Sequence, residues 1–72
     1  MTDTKLLEQA IKASGRSKTF LAGKIGLSLG GFRNCVLNKA DFKASQIQKL
    51  CELLDITDPA QKEAIFFAHV GD

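Results

Sequence analysis

Arg33, Asn34 and Asn38 carry the donors and acceptors needed for paired hydrogen bonds to a nucleobase edge, arginine toward guanine and asparagine toward adenine. Around them Arg16, Lys18, Lys24, Lys39 and Lys43 stand at positions suited to neutralising phosphates. The charge is concentrated there. From Lys12 to Lys49 eight basic residues meet one acid, Asp41, for a local charge of +7, whereas residues 50–72 carry −4 and the whole chain +2. Such asymmetry is the footprint of a chain that approaches phosphates, and equally of a solvated basic face with no ligand. Other chemistry finds little to work with. Cys35 and Cys51 have no second pair, His69 stands alone, and no nucleophile, base and orienting group are evident. Both cysteines read as reduced core residues, His69 as a surface or partly buried side chain, and no metal or cofactor is expected.

The elements that must position these side chains are all helical; β-branched residues are few and no stretch alternates for long. A first helix is expected from Thr4 to Ala13, with Leu7, Ala10 and Ile11 on one face, ended by Ser14-Gly15. Ser17 caps a second helix that holds Phe20, Leu21, Ala22 and Ile25 and stops at Gly26. Ser28 caps a third, Leu29 to about Leu37, and Asn38-Lys39-Ala40-Asp41 forms the following loop. The fourth carries Ala44, Ile47, Leu50, Cys51 and Leu54 in one stripe, with either Asp41 or Ser45 as its cap. Asp58, Pro59 and Gln61 announce a fifth helix through a capping box. Its body, Ala64 to Val70, holds more apolar bulk than one face buries, so Phe66, Phe67 and Val70 form a candidate dimer surface, the alternative being that they close a short core.

Leu21-Ala22, Gly26, Ser28, Phe32 and Cys35-Val36 lie at the offsets of a helix-turn-helix unit. Ala22 lets the two helices cross closely, Gly26 takes the turn, and Phe32, Cys35 and Val36 hold the second helix of the pair down. Its outward face is Ser28, Leu29, Gly30, Arg33 and Asn34, followed by Asn38, and this is the face expected to read a partner or DNA. The early positions are poor readers. Leu29, Gly30 and Gly31 cannot make paired hydrogen bonds to bases, and two glycines cost about 1 kcal/mol each in a helix relative to alanine. Gly31 is expected to be small in order to fit beneath the second helix, and Gly30 to leave a bare patch against which a backbone or another helix could pack.

The chain's 72 residues make one domain with one small core, a compact five-helix, all-α unit spanning 1–72 that contains a helix-turn-helix. An enzyme with a cleft between lobes is disfavoured. No apolar run approaches the ~20 residues of a membrane span and Met1-Thr2-Asp3-Thr4 is unlike a signal segment, so a cytosolic protein with no membrane partner is expected.

The run Leu21 to Ser28 resembles the Cro and repressor class of phage proteins. The longer run Asp41 to Asp58, followed by Lys62-Glu63 and Ile65-Phe66-Phe67, resembles a narrower family, the small Cro-like proteins of temperate phages of Gram-positive bacteria. Within it, the likeness is to the modulator-of-repression antirepressors of lactococcal phages, and it covers Lys5 to Phe67. The resemblance implies a regulator of the lysis and lysogeny switch in the bacterial host cytosol, which binds the phage repressor's helix-turn-helix domain and takes it off its operators. It does not say which residues make the contact. The outward face of the third helix is one choice, and the acidic residues Asp55, Asp58 and Glu63 are another. The alternative function is a Cro-like repressor that binds operator DNA as a homodimer, pairing through Phe66, Phe67 and Val70 and reading bases with Arg33, Asn34 and Asn38.

Overall fold

Capping residues at the expected places divide the chain into helices. In the computed structural model, which describes residues 1–68, these are α1 (Thr4–Ser14), α2 (Lys18–Lys24), α3 (Leu29–Val36), α4 (Ala44–Leu53) and α5 (Pro59–Phe66), with no strand among the described residues. Asp3 starts α1 by accepting from the Leu6 N–H at 3.0 Å, Ser17 starts α2 by accepting from Phe20, and Ser28 starts α3 by accepting from Gly31, the last two also at 3.0 Å. Each bond satisfies one of the N–H groups that a helix start leaves without a partner. The α4 cap is neither Asp41 nor Ser45. Lys43 holds that position, and because an ammonium cannot accept, only the returning half of a capping box forms, from the Lys43 N–H to Gln46 Oε1 at 2.8 Å. At α5, Asp58 accepts from Ala60 at 2.9 Å and Pro59 takes the first helical position, but no bond from Gln61 completes a box among the described residues.

Three helices end in the same way. A residue with positive φ follows each cap: Gly26 at 77° after α2, Asn38 at 64° after α3 and Asp55 at 57° after α4. The next N–H reaches back to the third-last helical carbonyl, Leu27 to Ala22 at 2.9 Å, Lys39 to Asn34 at 2.8 Å and Ile56 to Cys51 at 2.8 Å. These are Schellman endings, which satisfy orphan carbonyls while reversing the chain. Only the glycine is free of steric cost in that conformation; Asn38 and Asp55 adopt it because short polar side chains tolerate it best among the others.

The helices converge on one cluster in which Leu7, Leu21, Phe32 and Leu50 have no exposed surface, one residue from each of α1 to α4. Phe32 of α3, Phe42 of the following loop and Phe66 of α5 form an edge-to-face column with centroids 5.9 Å apart at both steps. This corrects one expectation. Phe66 is 3% exposed and belongs to the core, so it offers nothing to a dimer; Phe67, at 49%, points out, and Val70 lies outside the described residues. The reason lies in the loop before α4, which brings Phe42 inward and provides an aromatic partner that helical periodicity in α5 could not reveal. The radius of gyration is 11.1 Å, matching the ~11 Å of a compact chain this long.

Residues ahead of α1 are tied down as well. The Asp3 N–H donates to the Ile65 carbonyl at 2.6 Å, the Ala68 N–H donates to the Met1 carbonyl at 2.8 Å, and Thr4 Oγ1 donates to the Val36 carbonyl at 2.6 Å. The beginning of the chain thus bridges the ends of α3 and α5.

Both thiols are buried and free. Burial pushes Cys35 up, the Asp41 carboxylate adding to it, and burial pushes Cys51 up against the opposing pull of the Lys62 ammonium. The folded chain therefore keeps protons that the unfolded chain loses near the ordinary thiol value. Stability from this source is complete below that value and is lost as pH rises through the raised folded values. Urea midpoints should be flat up to about pH 8 and fall between about pH 8 and 10, with a Cys35→Ala, Cys51→Ala double variant showing a shallower fall. Far-UV circular dichroism is the readout, since the chain has no tryptophan or tyrosine. Phe32→Ala should cost about 3–5 kcal/mol by leaving a cavity at the α3 end of the column. A domain this size holds only about 4–11 kcal/mol, so a large drop in the urea midpoint is expected.

Candidate interaction face

α2 and α3 meet through Leu21 and Ala22 on one side and Phe32, Cys35 and Val36 on the other, all buried. Ala22 is 1% exposed, and a larger side chain there would push the helices apart. The turn between them, Ile25 to Ser28, is closed by the Gly26 reversal, and Leu27 packs half-buried against the core. α3 is thereby fixed with Gly30, Arg33 and Asn34 exposed and Leu29 half-buried; Leu37, its C-cap, is 55% exposed.

The two glycines of α3 differ in what surrounds them. A Cβ on Gly31 would sit 3.2 Å from Ser28 Oγ and 3.8 Å from Leu27 Cδ2, so this glycine lets the cap close over the first turn. Its neighbour is the turn, where the sequence pointed to the second helix. A Cβ on Gly30 would meet nothing within 4 Å, so the outward surface at this position is bare backbone with open space above it. The exposed Ser28 has its Oγ committed to the Gly31 N–H.

Asn38 does not join this face. Its Oδ1 accepts from the Thr2 N–H at 2.8 Å and its Nδ2 donates to the Thr2 carbonyl at 2.6 Å, a paired bond to backbone of the kind an adenine would otherwise receive. Both halves of the amide are occupied within the fold, and Asn38 is withdrawn as a base reader. The chain reversal after α3 and the anchoring of the first residues explain its type.

The five basic residues expected to face phosphates are not one cluster. Lys18 pairs with Glu8 of α1 at 2.9 Å, so its charge is largely offset. Arg16 donates from Nε to the Leu53 carbonyl at 3.0 Å, and its guanidinium lies 5.2 Å from the centroid of the Phe20 ring. Lys24 lies 5.4 Å from the same centroid. Lys39 and Lys43 are exposed on the loop between α3 and α4. The structure therefore brings Arg16 and Lys24 together around Phe20 and separates Lys18 from them by its ion pair.

Phe20 is the residue that sequence reasoning missed. The sequence puts it in the second helix beside Leu21 and Ala22 and gives it no outward role, yet it is 39% exposed while those two turn inward. The available signal was Lys24 four positions after it, the separation that puts side chains side by side along a helix, with Arg16 just ahead of the Ser17 cap. Among the described residues, no helix is long and apolar enough to cross a membrane, and no three His, Cys, Asp or Glu side chains gather as a metal site.

The Asn38 arrangement can be tested through stability. Asn38→Gly keeps the backbone conformation and removes both bonds, so it should cost about 1–3 kcal/mol; Asn38→Ala adds the left-handed penalty and should cost about 1 kcal/mol more. Urea denaturation of the two variants measures the difference, and equal losses would remove the conformational role. Against known protein families, curated proteins and solved structures, the chain has no match in any of the three.

Proposed function

We propose that the chain is a gene-regulatory protein of a temperate phage whose α2–turn–α3 unit is a helix-turn-helix of Cro type, and that it acts as an antirepressor. It docks on the helix-turn-helix domain of the phage repressor and occludes the surface that domain uses on DNA. The observation that carries this reading is the composition of the outward side of α3. Leu29, the open Gly30 backbone and the exposed Leu37 are interleaved with only Arg33 and Asn34 as polar readers, and Asn38 is spent on Thr2. A bare, partly apolar strip suits a protein surface, because base edges demand paired hydrogen bonds at successive positions. The likeness of residues 5–67 to the small Cro-like phage family supports the same assignment.

The competing reading, a Cro-like repressor working on operator DNA as a homodimer, draws support from the +7 segment between Lys12 and Lys49. It loses two of its parts to the fold, Phe66 as a dimer contact and Asn38 as a reader. Titration calorimetry of the purified chain with the phage repressor, alongside gel shifts on operator DNA, separates the two. Binding to the repressor and release of its DNA are expected, with no specific shift by the chain alone. Arg33→Glu, an exposed position, should abolish repressor binding while the circular dichroism spectrum stays unchanged. A salt-sensitive, sequence-specific shift by the chain alone would favour the DNA-binding repressor.

A further inference from the structure

Arg16, Phe20 and Lys24 form a cluster around one aromatic ring in which the arginine is held in place by two contacts. The Arg16 guanidinium is held at two points, by its Nε bond to the Leu53 carbonyl and by the Phe20 ring beneath it. Its two terminal nitrogens have no hydrogen-bond partner among the described residues, which leaves two donors available for a two-pronged grip on an oxyanion. Lys24 presents a second cation over the same ring. Between them, the exposed part of Phe20 supplies an apolar floor.

We propose that this trio is a second docking site, and that its occupant is an acidic amphipathic segment of a protein partner. The segment would carry an apolar side chain onto Phe20 and a carboxylate toward each of Arg16 and Lys24. Charge complementarity chooses carboxylates, and the aromatic floor chooses a polypeptide. A nucleic-acid strand would call for a continuous cationic track, whereas Lys18 is paired with Glu8 and Lys39 and Lys43 ride a separate loop. An exposed aromatic with a preorganised arginine beside it is also the composition that dominates protein–protein contacts. The Arg16 and Lys24 charges lie 5.2 and 5.4 Å from one ring centroid and so no more than about 11 Å apart, which a docking helix would match with two acids up to two turns apart. This inference rests on the reading that the chain's partner is a protein, and it adds a site to the α3 strip without depending on it.

The test uses the full chain, isotopically labelled, and synthetic peptides in place of the partner. One fifteen-residue alanine-based helix carries glutamates seven positions apart with leucine midway; its control carries lysines in place of the glutamates. Backbone NMR shifts should move around residues 16–24 with the acidic peptide and not with the basic one, and the response should weaken as salt rises. Phe20→Ala should weaken acidic-peptide binding about thirtyfold, and Lys24→Glu should reverse the preference between the two peptides. Lys24→Glu alters an exposed side chain, so it keeps the test decisive even where Phe20→Ala loosens α2. Shifts that ignore peptide charge, or survive both substitutions, would overturn the proposal. So would a DNA duplex that moves the same signals with the same dependence on Phe20. Failure of the parent chain to bind the phage repressor, with the peptide response intact, would count against the antirepressor reading and leave this site standing.

Discussion

The edge-to-face column Phe32–Phe42–Phe66 is the contact on which the arrangement of the other parts depends. Its three rings come from α3, from the loop that leaves α3 and from the last turn of α5, so one packing interaction ties α3 to that loop and to α5. In a chain of 72 residues a single cluster of large side chains must do what several layers do in a bigger domain. Every residue drawn into that cluster is lost to the surface, and the outward strip of α3 is what remains once Phe32, Cys35 and Val36 have turned inward.

Tight reversals make this economy possible. The α2, α3 and α4 ends each spend one left-handed residue to turn the chain within two positions while their last carbonyls stay bonded. At the end of α3 the same residue serves twice, since Asn38 both adopts the reversal and clamps Thr2. The start of the chain, α3 and α5 are consequently locked together, which makes the α3 surface a rigid platform.

Electrostatics follow from the packing as much as from composition. Eight basic residues between Lys12 and Lys49 read as a uniform basic segment in sequence, but the fold disperses them. Lys18 is paired with Glu8, Arg16 and Lys24 are gathered on one aromatic ring, and Lys39 and Lys43 ride a separate loop. The result is a set of small, distinct surfaces, where a nucleic-acid backbone would call for a continuous track.

Helix positions, the caps Ser17, Ser28 and Asp58, the turn at Gly26 and the inward set of α3 were legible in the residues, because capping and helical periodicity act over four residues or fewer. That range also explains some of the errors. The role of Asn38 and the burial of Phe66 each depend on a group distant in sequence, Thr2 lying 36 positions from Asn38 and Phe42 packing on Phe66, whereas the α4 cap was a choice among near neighbours. By itself the sequence determined which segments become helices and which side of most of them is apolar. Only the tertiary structure decided which side chains at the boundary of that apolar side are consumed by the fold and which are left on the surface, because that choice is made by contacts between segments whose separation no local pattern encodes.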